Sequence, residues 1–213
     1  MPVPDTRWNH NIHYHPIIVR ALGPARRRVL DVGCGEGVLA HELARRGHHV
    51  TGIDLHAASV ENARNDGPHA PIDFIVGDVL THPFTPGSFD AIVSVATIHH
   101  IGTGPALRRI GELLRPGGIA AIVGLARSRS PADLAYDVAG AVSTRIHTLR
   151  KPCWETSAPK VWPPPESFAE VRRTAARITP GARFRRHLLW RYSLVWQKGD
   201  RDIPRKELPN AAR

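Results

Sequence analysis

Only two cysteines occur in 213 residues, Cys34 and Cys153, and no short spacing relates them. That scarcity excludes a disulfide framework, a zinc ribbon and a CxxC redox motif. Long apolar runs are also lacking: none approaches the roughly 18 to 20 residues that span a bilayer, and hydrophobic residues make up 42% of the chain against 23% charged. A membrane-spanning protein and a membrane partner are therefore not expected. The opening stretch, MPVPDTRWNHNIHYH, is polar and broken by proline, so it lacks the apolar segment and small-residue cleavage site of a secretory signal. A cytoplasmic location is the expectation. The length fits one domain with an elaborated terminus.

Acidic residues are scarce in one half only. Residues 1–120 hold 11 basic and 11 acidic side chains, whereas residues 121–213 hold 18 and 8, so the whole net charge of +10 comes from the second half. This distribution suggests a neutral ligand-binding platform followed by a basic segment facing an anionic partner, or, as the plainer alternative, a solvated arginine-rich surface.

Apolar runs alternate with amphipathic stretches between Val29 and Leu125, as in an α/β chain whose parallel strands are buried on both faces and joined by crossover helices. Strands are expected at Arg28–Val32, His49–Ile53, Ile72–Val76, Phe89–Ser94 and Gly118–Leu125. Helices are expected at Val38–Arg46, ending at Gly47, at Ala57–Asn65, ending before Asp66-Gly67-Pro68, and at Pro105–Leu114, ending before Pro116-Gly117-Gly118. Further along, Pro131–Leu149 reads as a long helix, KPCWETSAPKVWPPPES as an irregular loop and Phe168–Arg177 as a short helix. Arg183–Leu189 and Arg191–Gln197 read as a hairpin at the sheet edge. The residues from Gly199 onward read as a frayed tail.

The first strand runs into Asp31-Val32-Gly33-Cys34-Gly35-Glu36-Gly37 and then straight into a helix. Three glycines at alternate positions there let a ligand approach the backbone at the carboxyl edge of the sheet. A GxGxxG dinucleotide fingerprint would need its third glycine at position 38, which is Val38. Asp54 ends the second strand 23 residues after Asp31, where a carboxylate can accept from two ribose hydroxyls. Asp78 follows the third strand and can accept from an exocyclic amine such as that of adenine.

These segments resemble the class I S-adenosylmethionine-dependent methyltransferases, in particular their small-molecule group. The resemblance rests on VLDVGCGEG (Val29 to Gly37), GIDLH (Gly52 to His56), FIVGDV (Phe74 to Val79), FDAIVSVATIHHI (Phe89 to Ile101) and LLRPGG (Leu113 to Gly118), in family order and spacing. It implies a Rossmann-like, doubly wound seven-stranded sheet, mostly parallel with a reversed C-terminal strand. It also implies S-adenosylmethionine as cofactor, with methyl transfer to a small-molecule acceptor. Residue by residue, Gly33, Cys34, Gly35 and Gly37 would form the loop beside the methionine part, and Asp31 would face its ammonium group. Asp54 would hold the ribose, with Leu55 next to it among the cofactor-binding residues, Asp78 and Val79 the adenine, and Ser94 and Val95 would border the methionine part and the methyl group. The chain would then divide into an N-terminal lid segment (1–27), a cofactor core (28–125), acceptor-side helices with the hairpin (126–198) and the tail (199–213).

Transfer from a sulfonium needs alignment first. A base is needed where the acceptor carries a proton, and imidazole suits that task near neutrality. His99 and His100 follow the fourth strand, and His10, His13 and His15 lie in the amino-terminal stretch. Some family members pair a lid tyrosine with a histidine after strand four, which makes Tyr14 with His99 or His100 the candidate catalytic set. The competing assignment packs one histidine under the next helix and leaves the other to shape the pocket. No matched carboxylate or cysteine set accompanies His13 and His15, so no metal is expected. Trp8, Trp154, Trp162, Trp190 and Trp196 are candidates for an apolar acceptor pocket or for core.

Two other enzyme classes compete. An RNA methyltransferase would use Arg172, Arg173, Arg183, Arg185, Arg186 and Arg191, although strand four ends in Ser94-Val95-Ala96-Thr97 and not in the motif of base amino-group methylation. Pro152-Cys153 lies after strand five, so Cys153 reads as incidental. A nicotinamide oxidoreductase is disfavoured by the glycine spacing and has no use for Asp78. A cofactor-binding protein without catalysis is the third class, and turnover with an acceptor separates it from the enzymes.

Overall fold

The computed structural model describes residues 9–66, 72–129 and 162–199 together with Asp133, Tyr136, Gly140, Arg145 and Trp154. Alternating runs of Val and Ile with amphipathic stretches build a parallel sheet with helices on each face. In chain order the elements are a 3₁₀ turn at Ile12–Tyr14, α1 (His15–Leu22), β1 (Arg28–Val32), α2 (Val38–Arg45), β2 (His49–Asp54), α3 (Ala57–Asn65) and β3 (Ile72–Val76). They continue with β4 (Phe89–Val95), α4 (Ile98–Ile101), α5 (Thr103–Leu113), β5 (Leu114–Leu125), α6 (Phe168–Ile178), β6 (Arg183–Arg186) and β7 (Arg191–Gln197).

The strands form one seven-stranded sheet in the order β3-β2-β1-β4-β5-β7-β6. Strands β1 to β5 pair in parallel, and β7 runs antiparallel between β5 and β6. The expected Rossmann-like sheet with its reversed last strand is what the chain forms. Successive strand residues face opposite layers: Leu30 and Ile92 pack in one buried cluster with Leu107 and Ile110 of α5, while Val29 and Val93 pack in the other with Ile18 of α1 and Leu43 of α2. Strand β1 lies between β2 and β4, so the crossovers leave it in opposite directions. A crevice therefore opens above the carboxyl ends of β1 and β4, where open α/β sheets bind ligands.

Most boundaries fall within a residue of expectation. Strand β6 stops at Arg186 and not at Leu189, because Leu189 and Trp190 take left-handed φ values in the turn to β7. The other departures also have identifiable reasons. Helix α1 begins where the polar, proline-broken opening stretch ends, in a segment for which no element is expected, and Tyr14, Ile18 and Leu22 recur every fourth residue and are buried. Pro16 sits in its first turn, where the missing N–H is not needed. Strand β5 begins at Leu114 and not at Gly118, since Pro116-Gly117-Gly118 bends the strand without ending it, with a register shift opposite Phe89 and Ala91. Helix α5 starts at Thr103, whose N–H and hydroxyl both donate to Glu166, at 2.9 and 2.6 Å. Its first turn thereby gains a carboxylate at the positive end of the helix. Between β4 and α5 the histidine pair lies on a short helix, α4.

Helix α6 carries a capping box. Ser167 accepts from the Glu170 N–H and Glu170 accepts from the Ser167 N–H. Most of the helix expected at Pro131–Leu149, most of the loop after it, Trp8, Cys153 and the tail lie outside the described residues; Asp133, Tyr136, Gly140 and Arg145 are helical. No described helix is long and apolar enough to cross a membrane.

Candidate active site

A cavity of about 290 Å³ occupies the crevice. From β1 and the following loop it is lined by Asp31, Gly33, Cys34, Gly35 and Glu36, and from the end of β2 by Asp54 and Leu55. Asp78 and Val79 line it after β3, Val95, Ala96, Thr97 and His100 after β4, and Asn9, Asn11, Ile12 and His15 from the amino-terminal segment. Ten of the fourteen residues singled out from sequence therefore meet there.

The loop geometry follows from its glycines. Gly35 has φ +51°, and a Cβ on it would meet nothing within 4 Å, so the backbone presents an open face to the cavity it lines. Gly37 does a different job. It has φ +75°, and a Cβ there would come within 2.9 Å of both Ala63 and Phe74. It caps α2 and lets that helix close onto α3 and β3, away from the cavity.

Asp54 is fixed by two backbone donors, Gly35 N–H to Oδ2 at 2.9 Å and His56 N–H to Oδ1 at 2.8 Å. Each carboxylate oxygen keeps capacity for a second donor. Asp31 is 2% exposed, and its Oδ2 has no hydrogen-bond partner among the described residues. Burial, and then the Asp54 charge, pushes its carboxyl up to about 7. A buried oxygen without a donor at the edge of a cavity fits a cationic ligand group. Asp78 accepts from Leu80 N–H at 2.9 Å. The loop behind it is tied to α5 by Arg109, which donates to the carbonyls of Val79 and His82 at 3.0 and 2.6 Å.

Cys34 is buried, and its thiol is pushed above the usual range by burial and then by Asp31 and Asp54, which leaves it no nucleophilic character. Ala96 holds a left-handed φ of +56° at the exit of β4. Ser94 is not at the cavity. It is fully buried and donates to the Val32 carbonyl at 2.8 Å, stitching β4 to β1.

The histidine pair divides between the interior and the cavity. His100 is exposed and lines the cavity, while His99 is 7% exposed with its Nδ1 unpartnered among the described residues. Burial, then His100, then Arg191 brings His99 down to about 4. Burial also lowers His100, against the opposing pull of Asp54.

Tyr14 does not join either histidine at the cavity. Its hydroxyl donates to the Leu188 carbonyl at 2.7 Å, and its ring packs against His187 at 5.3 Å, because α1 is clamped to the turn between β6 and β7. The base pair expected from Tyr14 is not assembled.

Asn9, Asn11 and Ile12 line the cavity from the amino-terminal segment without having been singled out from sequence, beside His15 of the amino-terminal histidine group. Asn9 caps the 3₁₀ turn by accepting from Asn11 N–H and Ile12 N–H, both at 2.9 Å. Asn11 accepts from Arg191 at 2.7 Å. His15 pairs through Nδ1 with Glu42 on α2 at 3.3 Å. Asn-x-Asn-Ile before a helix was a capping signal, but the contact to Arg191 spans 180 residues and leaves no local trace. Among the tryptophans, Trp154 lines the cavity, Trp196 is core, and Trp162 meets Trp190 edge-on at 5.7 Å. No cluster of potential metal ligands occurs among the described residues.

Comparison with known proteins agrees with this geometry. The family described as methyltransferase domain matches residues 30–122. An uncharacterized methyltransferase of Mycobacterium tuberculosis is 38% identical over 194 residues, covering 91% of this chain and 98% of that one. A ubiquinone biosynthesis O-methyltransferase of Xanthomonas oryzae is 40% identical over 125 residues, 56% of this chain and 51% of that one. In fold, the chain is similar to a TehB-like SAM-dependent methyltransferase of Corynebacterium glutamicum, with a TM-score of 0.56, 22% identity and 86% of each chain covered. Glycine loop, three strand-end carboxylates, sheet order and full-length similarity together place the chain in the class I S-adenosylmethionine-dependent methyltransferases, with S-adenosylmethionine as its cofactor.

Proposed function

We propose that the cavity binds S-adenosylmethionine along the ends of β1, β2 and β3 and transfers its methyl group to a small molecule entering beneath the amino-terminal segment. The sulfonium, when bound, supplies an activated methyl group with a neutral thioether as leaving group. Asp31 accepts the ammonium group, Asp54 the ribose hydroxyls and Asp78 the adenine amine, with Leu55, 71% exposed at the rim, covering the purine and Val79 bordering it. Gly35 admits the methionine part, Gly33 makes room for the Thr97 side chain beside it, and Val95 with Ala96 borders the reacting carbon. His100 takes the acceptor proton where there is one. His99, buried and held neutral, shapes the wall behind it.

The observation that carries this reading is the unpartnered Asp31 oxygen beside the open face of Gly35, with Asp54 and Asp78 on the neighbouring strand ends. Calorimetry with S-adenosylhomocysteine tests it. Asp54→Ala is expected to weaken binding by about ten- to a hundredfold, the loss of hydrogen bonds to a charged group. Absence of binding by the wild-type chain ends the reading. The base role is separable: His100→Ala should flatten the alkaline-rising limb of the turnover profile, and unchanged profiles in His99→Ala and His100→Ala alike would remove it.

A further inference from the structure

The cavity has two chemically opposite walls. The strand-end wall carries Asp31, Glu36, Asp54 and Asp78, whereas the wall made by the amino-terminal segment and α4 carries Asn9, Asn11, His15 and His100 with no carboxylate among its described residues. Behind Asn11 lies Arg191, the first residue of β7, only 7% exposed. Its Nη2 donates to Asn11 Oδ1 at 2.7 Å and its Nη1 to the Leu189 carbonyl at 2.9 Å, while its buried Nε has no partner among the described residues. No carboxylate pairs with it among the described residues. A buried cation without a counter-ion is costly.

A guanidinium donates and never accepts, so Arg191 fixes which way the Asn11 amide turns. Oxygen faces the arginine. The NH2 group is then what Asn11 can present to the cavity it lines, backed by an uncompensated positive charge. We propose that this wall is a subsite for a carboxylate, with the Asn11 NH2 as its donor and Arg191 as the positioning residue that orients the amide and supplies the field. The inference rests on the reading of the cavity as a methyl-transfer site. The carboxylate belongs either to the acceptor or to the amino-acid end of the cofactor, the two molecules that this one cavity would hold.

A purely structural role, in which Arg191 and Asn11 only pin the amino-terminal segment to β7, predicts something different for one substitution. Asn11→Asp keeps the pin and makes it an ion pair, but replaces the inward donor by an oxygen. Calorimetry on the full chain would compare S-adenosylhomocysteine with 5′-methylthioadenosine, which lacks the amino-acid end. The S-adenosylhomocysteine-loaded protein would then be titrated with benzoate and hexanoate against benzamide and hexanamide.

Asn11→Asp is expected to melt no lower than wild type and to lose at least about tenfold in carboxylate affinity. If the loss falls on S-adenosylhomocysteine but not on 5′-methylthioadenosine, the cofactor supplies the carboxylate. If it falls on benzoate or hexanoate with the amides unaffected, the acceptor does. Wild-type affinities throughout in Asn11→Asp, or no preference of the wild-type chain for carboxylates over amides together with an unchanged S-adenosylhomocysteine affinity in the variant, overturn the proposal. A wild-type chain that binds neither adenosyl compound overturns the methyl-transfer reading itself. Arg191→Met is the companion variant, expected to show the same ligand losses with a lowered melting temperature.

Discussion

At the scale of single residues, two buried titratable groups bend the pH dependence in opposite senses. Asp31 has a folded value of about 7, above its ordinary 3.8, so the fold keeps a proton that the unfolded chain has released. Its stabilising contribution is full below the unfolded value and is lost as pH rises through about 7. His99, at about 4 against an ordinary 6.5, behaves the other way: its contribution is present above the unfolded value and is lost as pH falls through about 4. Thermal melts across pH 4 to 8 should therefore show Asp31→Asn gaining on wild type as pH rises and His99→Gln gaining as pH falls. Either variant running parallel to wild type at every pH contradicts the corresponding assignment. Asp31 also couples to the ligand. Binding of an ammonium group selects the carboxylate, so S-adenosylhomocysteine affinity should rise by up to about tenfold per pH unit below 7. Protons should be released on binding, visible as a buffer-dependent heat at pH 6 and absent in Asp31→Asn. These carboxylates were legible in the sequence because residue type and distance from a strand end carry their chemistry. Tyr14 and Ser94 were not, because what they do depends on Leu188 and Val32 across the fold.

At the scale of elements, strong periodicity gave β1 to β4, α2, α3 and α6 to within a residue. Helix α1 escaped because eight residues offer too short a window, and the adjacent apolar residues Ile17 and Val19 blur its fourfold repeat. That helix is where packing meets function. Ile18 is fully buried between α1 and the sheet, and Ile18→Ala should cost about 2 to 5 kcal/mol. Because α1 carries His15 and follows Asn11, the same substitution should also raise the S-adenosylhomocysteine dissociation constant. Val171, equally buried in the opposite layer on α6, provides the control. Val171→Ala should lower the urea midpoint while leaving that constant unchanged. Equal effects of the two on binding would mean that α1 acts only as ballast for the sheet.

At the scale of the whole molecule, the described arginines of the basic half do not share the single surface that its composition suggests. Arg186 turns inward to Asp133 and lies over the rings of Phe168 and Tyr136 at 4.0 and 4.3 Å, and Arg191 is buried. Composition could not separate these from Arg172, Arg173, Arg183 and Arg185, which are exposed. Arg183 and Arg185 alternate along β6, the outermost strand, three places from β4 in the sheet. Charges on an exposed edge oppose pairing with a second sheet, and this accounts for them without an anionic polymer. The two explanations part on a simple comparison. Replacing Arg183 and Arg185 by valine should produce concentration-dependent scattering from edge-to-edge association, whereas replacing Arg172 and Arg173 by glutamine should leave the chain monodisperse. RNA affinity should be weak and collapse between about 50 and 200 mM salt, as for contacts made to phosphates alone. It should also be indifferent to S-adenosylhomocysteine. RNA binding that survives the higher salt and strengthens with the cofactor product would instead tie the outer edge of the sheet to the cavity, and the arginines would then be a recruiting surface.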